Sequence, residues 1–365
     1  MIGIWNLITR KIDLTISGWR GQQFNDGLLA VIPETNEGGL QLWNLNTNSC
    51  QFAWEGGNCP IRCFIQLKDN RVAIGLENSG VIIIWNFIDN SECQLIGHRH
   101  TITQLLELPE GRLASSSEDC TIRIWKASRD QPIETNSIIL IGHKRSISQL
   151  ILLSDGRLAS RAELARDCSI RIWNITERTC DLVIFSLQYS MAEISNHRLI
   201  TMGNAPSIHI WDYNSGRSVG KLSGYSDIIW SIVKLPAPNA IHPRERLVTT
   251  SSDLTVRVWE GESLECEQVL RGHEDIVHCF CSLPDGRIIS GAADNTIIVW
   301  GSIRSIGKVL NTIHIISNGH SNGFHLHFRS GFVGSKVYCN NLSAAFFFSS
   351  VSFCFKEIKC KSFFK

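Results

Sequence analysis

GHRHTITQLLELPEGRLASSSEDCTIRIW, residues 97–125, holds one structural unit of this chain in full. Its parts come in a fixed order. A Gly97-His98 pair leads to an alternating run from Thr101 to Leu108, in which Ile102, Gln104 and Leu106 fall at every second place. A Pro109-Glu110-Gly111 turn follows, then a second run from Arg112 to Ser115, an acidic turn ending at Asp119, and Thr121-Ile122-Arg123-Ile124-Trp125. Period-two alternation between turn residues marks short strands, four to a unit, and little of the pattern reads as helix.

Outward from this unit, a short apolar run ending in tryptophan recurs at Trp5, Trp43, Trp85, Trp125, Trp173, Trp211, Trp259 and Trp300, with successive gaps of 38, 42, 40, 48, 38, 48 and 41 residues. Self-similarity at such a period signals a repeat architecture, in which each unit buries its apolar face against its neighbours. Asp155-Gly156 and Asp285-Gly286 repeat the turn between the first two strands. β-Branched residues in Thr255 to Val258 and Thr296 to Val299 predict a third strand buried on both faces.

Composition sets outer bounds. The chain of 365 residues is 43% hydrophobic and 19% charged, which suits a globular fold and not a disordered one. Lys and Arg number 35 against 34 Asp and Glu, so no long-range field draws the chain to nucleic acid or to an anionic membrane. Thirteen cysteines are scattered without the paired clusters of a zinc site, and reduced thiols are expected. Asn6, Thr9, Arg10, Lys11 and Asp13 interrupt the first 20 residues as a secretion signal would not allow, and no apolar run reaches membrane-spanning length. The expectation is a cytoplasmic protein with no membrane or nucleic-acid partner.

A Gly-His pair followed 27 residues later by an apolar-X-apolar-Trp strand resembles the WD repeat (WD40), whose units are the blades of an all-β propeller of four-stranded antiparallel sheets. The resemblance covers residues 1–336. It implies, in each blade, a hydrogen-bonded structural tetrad of His, Ser or Thr, Asp and Trp. The positions match in full at His98, Ser115, Asp119 and Trp125, at His143, Ser160, Asp167 and Trp173, and at His273, Ser290, Asp294 and Trp300. The repeat ending at Trp259 keeps Thr249 and Asp253 but has Tyr225 in place of His. Those ending at Trp43, Trp85 and Trp211 lack most of the tetrad, with Trp19 and Asn58 at or near two of the His positions, and are expected to open more readily.

A propeller joins its first and last blades, or leaves two exposed strand edges. Ile2 to Trp5 resemble a third strand and Lys11 to Ser17 a fourth; Phe324 to Phe328 and Ser330 to Val333 resemble the opening strands of a further repeat. Joined, they make one split blade, and eight blades are favoured over seven. In the seven-bladed alternative, Lys11 to Ser17 would close the Trp300 blade. Residues 337–365 form an atypical tail rich in Phe, Cys and Lys, open between a degenerate blade and an unstructured end.

No Gly-x-Ser-x-Gly elbow, phosphate-binding Gly loop or His-Glu-x-x-His helix occurs, so no catalytic, cofactor or metal residue is nominated; His325 and His327, near His320, read as incidental. Binding is expected on the face where the Gly-His loops and acidic turns emerge. In relatives, partner contacts fall three and five residues after the repeat's His and just before its Asp. The resemblance thus implies Thr101, Thr103 and Glu118; Ser146, Ser148 and Arg166; Ile228, Trp230 and Ser252; and Ile276, His278 and Ala293, with Arg145 beside them. Trp230 between Ile228 and Ile276, ringed by Arg166, Asp227, Glu274 and Asp275, has the make-up of a hot spot with a polar rim. The expected function is a scaffold or adaptor for a protein or peptide partner, monomeric within a larger complex. The alternative is the substrate-recognition subunit of a ubiquitin ligase that binds degrons.

Overall fold

The structure is a computed structural model that describes residues 2–6, 11–16, 20–24, 26–33, 39–56, 59–127, 137–162, 167–185, 188–194, 197–203, 207–235, 246–282, 288–294, 296–300, 309–317, 324–328 and 336–340. Each repeat is an antiparallel meander whose strands pair in chain order. In the unit quoted above the strands are Ile102–Leu108, Arg112–Ser117, Thr121–Lys126 and Ile138–Ile141. The first turn reverses at Glu110 and Gly111, both in the left-handed region at φ 62° and 66°, which is where the sequence supplies a glycine. Sheets of the same order begin at Arg20, Ile61, Ile147, Gln188, Ile229 and Val277. Each is named below by its tryptophan, from the Trp43 sheet to the Trp300 sheet. Among the described residues there is no α-helix.

Every sheet face that meets a neighbour is apolar. Cys63, Ile82, Ile84 and Leu95 of the Trp85 sheet pack with Ile102, Leu105, Leu113 and Trp125 of the next. The other face of the Trp125 sheet, with Ala114, Ile122 and Ile124, meets Leu150, Leu158 and Trp173. The same layering joins the Trp173 and Trp211 sheets, the Trp211 and Trp259 sheets, and the Trp259 and Trp300 sheets. Each indole in these layers lies against the preceding sheet. Burying one removes about 200 Å² from water, on the order of 5 kcal/mol before side-chain entropy is counted. Thus the third strand is wrapped, though not uniformly as its β-branched residues predict. Thr255–Glu260 is buried throughout, whereas Thr121 and Arg123 are half-exposed because the Arg123 guanidinium reaches out over the Trp125 ring, 5.8 Å from its centroid.

First strands of successive sheets pack side by side from Ile61–Gln66 to Val277–Ser282, and so line the inside of the array. Two glutamines bind adjacent first strands by imitating a strand edge. Gln104 donates from Nε2 to the Leu150 carbonyl at 3.1 Å and accepts the Leu150 N–H at 2.7 Å. Gln149 does the same to Met191, at 2.9 Å both ways. Near the far end of the first strand, Glu107 accepts the Lys68 N–H and Glu193 the Ser154 N–H, so each carboxylate caps the turn of the preceding sheet.

Residues 2–6 pair with a strand from the other end of the described chain, but not with the expected one. Ile2–Asn6 pairs with Lys11–Ile16 on one side and with Lys336–Asn340 on the other, Ile4 opposite Tyr338. Strand pairing therefore runs past residue 336. Phe324–Phe328, read above as the opening strand of the split blade, is instead a fifth strand on the Trp300 sheet, paired with Val309–Ser317. The nine-residue strand Val309–Ser317 also fills the fourth position of that sheet, which the seven-bladed alternative assigned to Lys11–Ser17. Its length leaves Ile313 to Ser317 to hold a further partner. Ser330 to Val333, Trp19, Asn58, His320 and the tail from 341 onward lie outside the described residues.

Candidate functional site

Three buried polar networks hold the loops of the Gly-His face. In the Trp125 sheet, the Trp125 indole N–H donates to Ser115 Oγ at 2.8 Å; His98 Nε2 lies 2.8 Å from the same oxygen and His98 Nδ1 lies 2.8 Å from Asp119 Oδ2. Asp119 as acceptor places the imidazole proton on Nδ1, so Ser115 donates its hydroxyl proton to Nε2. The Asp119 carboxylate also takes the Arg99 N–H, the Thr121 N–H and the Thr121 hydroxyl. His143, Ser160, Asp167 and Trp173 repeat the chain at 3.0, 2.7 and 2.7 Å. His273, Ser290, Asp294 and Trp300 repeat it at the same three distances. Asp167 follows Ser160 by seven residues, where Asp119 follows Ser115 by four, yet it reaches the same place. Glycine precedes the histidine because a Cβ on Gly97 would lie 2.7 Å from Arg123 Nη1 and 3.0 Å from Trp125 Cη2.

Burial decides the charge state of the His143 and His273 networks. Loss of hydration pulls the His143 imidazole down to about 4 against the opposing pull of Asp167, so it is neutral at pH 7. Burial alone would raise the Asp167 carboxyl, but hydrogen bonds from Ser169, the Lys144 N–H and His143 hold it below the ordinary range. His273 and Asp294 shift in the same two directions. A neutral imidazole donating to a carboxylate orders the loop and has no free base to offer, since both ring nitrogens are occupied.

The Trp259 sheet solves the missing histidine differently. Tyr225 spans the gap and its hydroxyl bonds Thr249 Oγ1, while the Trp259 N–H is shared between both oxygens at 3.0 Å. Asp253, without an imidazole, pairs with Arg257 at 3.2 Å, and the guanidinium lies over the Tyr225 ring at 4.3 Å. In the Trp211 sheet, Thr201 still accepts the indole N–H at 2.8 Å. The Trp85 indole turns instead to Asn90 in the hairpin turn after its strand, and that of Trp43 to Gln41 on its own strand, so neither ties its sheet to a Gly-His loop.

The partner-contact positions come together in pairs. The Glu118 N–H donates to the Thr101 carbonyl, the Ser252 N–H to Ile228 and the Ala293 N–H to Ile276. The Glu77 N–H makes the same bond to Pro60 in the Trp85 sheet, a pair that counting from a histidine could not find because that repeat lacks one. Thr101 is buried and its hydroxyl accepts the Asn78 N–H, so it serves the junction with the preceding sheet. Ser146 and Arg145 are half-buried, Glu118 is exposed, and Ser148 Oγ donates to the Arg161 carbonyl. Arg166 and the His278 side chain lie outside the described residues.

A second regularity was not legible as a motif. Every first strand from the Trp85 to the Trp300 sheet carries a register shift at its second residue: Arg62, Thr103, Ser148, Tyr189, Trp230 and His278. A bulge unpairs one residue and re-aims it, so these six positions form a repeated series along the inner strands on the Gly-His side. Tyr189 and Arg62 join the candidates through this register. At the bulge, Thr103 bonds Ser116 Oγ at 2.8 Å and donates to the Ile147 carbonyl of the next sheet. Trp230 takes the same place in its sheet and forgoes both bonds. Its indole N–H goes to Ser252 Oγ at 2.6 Å, and Thr250, in the position of Ser116, is fully buried with no hydrogen-bond partner for its hydroxyl among the described residues. An unpartnered buried hydroxyl costs about 1–3 kcal/mol.

Comparison with known proteins agrees with this geometry. A family profile described as "WD domain, G-beta repeat" matches residues 90–126, 216–260 and 264–301. No curated protein matches the chain. Among solved structures, the computationally designed Ika8 protein is similar at 21% identity and TM-score 0.63, over 81% of this chain and 89% of its own. A chain of the mitotic checkpoint complex is similar at 20% identity and TM-score 0.58, over 78% of this chain and 86% of its own. At these identities the likeness concerns the fold.

Proposed function

Because this chain is a WD-repeat protein, we propose that it acts as a non-catalytic scaffold or adaptor that presents its Gly-His face to a protein partner, with Ile228, Trp230 and Ile276 at the centre of contact. Family membership alone does not choose a partner, so the reading rests on the site. The observation that carries it is Trp230. In two other sheets its bulge position holds Thr103 and Ser148, whose hydroxyls bond the next sheet or their own, whereas the chain keeps a tryptophan here beside a buried Thr250 whose hydroxyl has no partner among the described residues. Ile228 and Ile276, half-buried at matching loop positions of adjacent sheets, flank it. A large aromatic between aliphatics with a charged rim is the usual composition of an energetic hot spot.

The test is capture of partners from lysate by the native chain and by Trp230→Leu, with the melting temperature of both recorded. A specific protein retained by the native chain and lost with the variant, at unchanged melting, is the expected outcome. Identical capture profiles would refute the assignment of this face.

A further inference from the structure

We propose that the Trp230 side of the Gly-His face takes a cationic partner segment, an extended peptide that presents a lysine or arginine to the aromatic bulge positions. This rests on the reading of that face as the partner surface and adds the chemistry of what it binds. Tyr189, Trp230 and His278 hold the bulge on three successive first strands, which pack side by side in the order Trp211, Trp259 and Trp300. On the other three described strands with this bulge, the position is Arg62, Thr103 or Ser148. Aromatic character is therefore confined to one arc.

Three carboxylates accompany that arc. The exposed Asp227, Glu274 and Asp275 stand in the loops of the Trp259 and Trp300 sheets. Asp227 and Asp275 each spend one oxygen on the N–H of the following isoleucine, Ile228 and Ile276, at 2.7 Å. Among the described residues no lysine or arginine pairs with any of the three carboxylates, and Arg257, on the third strand of the Trp259 sheet, is committed to Asp253 and the Gly224 carbonyl. Of the described cations near this face, Arg62, Arg99, Lys144 and Arg145 belong to the Trp85, Trp125 and Trp173 sheets, and Arg271, at the end of the fourth strand of the Trp259 sheet, stands within the acidic arc. An indole on the same face as carboxylates that no described lysine or arginine pairs favours an ammonium or guanidinium group, which both the ring quadrupole and the charge attract. A phosphorylated or acidic segment would be repelled there.

The experiment selects binders for the immobilised full-length chain from a random peptide library of about 12 residues and reads the composition of the enriched pool. Lysine and arginine should rise about twofold or more above the input. The best peptide should bind about tenfold more weakly to Trp230→Leu, and as weakly to the triple variant Asp227→Asn, Glu274→Gln, Asp275→Asn, whose exposed positions leave folding intact. Its affinity should also fall between about 50 and 300 mM salt. An enriched pool that depends on Trp230 but is acidic or purely apolar, or one indifferent to the triple variant, overturns the cationic assignment and leaves the partner face standing. So does self-association of the chain that Trp230→Leu abolishes, since the occupant is then a second copy. A pool indifferent to Trp230→Leu, or no enrichment at all, overturns the inference, and the former removes the support for the face as well.

Discussion

Ser115→Ala tests whether the buried polar chain holds its sheet together. Ser115 is fully buried and its hydroxyl accepts the Trp125 indole N–H and serves His98 Nε2, each at 2.8 Å. Removing one oxygen leaves two buried groups without that partner. At about 1–3 kcal/mol for each stranded group, the cost is about 2–6 kcal/mol. Ser115→Thr should cost under about 1 kcal/mol, because Thr249 and Thr201 perform the same service for Trp259 and Trp211 at 3.0 and 2.8 Å. Urea unfolding followed by tryptophan fluorescence gives the stability change, and hydrogen exchange of the Trp125 indole N–H shows where it falls. A repeat array need not unfold in one step, so the local reading matters. A loss below about 0.5 kcal/mol for Ser115→Ala, or an equal loss for Ser115→Thr, would show that the network contributes shape and not hydrogen bonding.

Acidification should destabilise the chain before any carboxylate titrates. The unfolded His143 takes a proton near its ordinary 6.5 while the folded residue holds off to about 4, so the unfolded state binds more protons in that window and stability falls with pH, by about 2 kcal/mol at pH 5. Below the ordinary Asp value of 3.8 the depressed Asp167 adds a further loss of the same sign; stability rising from pH 7 to 4 would contradict the first, and stability rising below about pH 3.8 the second, in unfolding curves taken across that range. Gln149→Ala strands the Met191 N–H and carbonyl, and should cost about 2 kcal/mol while accelerating exchange of the Met191 amide ahead of its neighbours. Arg257→Met leaves the buried Asp253 without its cation and should cost about 3 kcal/mol; the same change at Arg123, whose sheet has His98 beside Asp119, should cost less than half of that. Paired unfolding measurements on the two arginine variants decide the point, and equal losses would show that Arg257 acts by packing on Tyr225.

The interval between tryptophans, the period-two runs and the turn residues determined the all-β repeat and most strand positions, because each depends on local backbone preference and on which face of a strand must be apolar. The tetrads at His98, His143 and His273 were legible for the same reason, even across the longer spacing from Ser160 to Asp167. What the tertiary structure decided lies between units. Phe324–Phe328 has the alternation of an opening strand, but alternation does not say which edge a strand joins, and the nine residues of Val309–Ser317 offered one. Lys336–Asn340, with no tryptophan or turn signal to mark it, gains its place only by pairing with Ile2–Asn6. The glutamine bridges from Gln104 and Gln149 and the bulge series through Tyr189 and Trp230 were hidden likewise, since they follow from the register of one strand against another. Register and the contact of neighbouring sheets depend on residues about 40 positions apart meeting in space, and no local pattern in the chain records which of them meet.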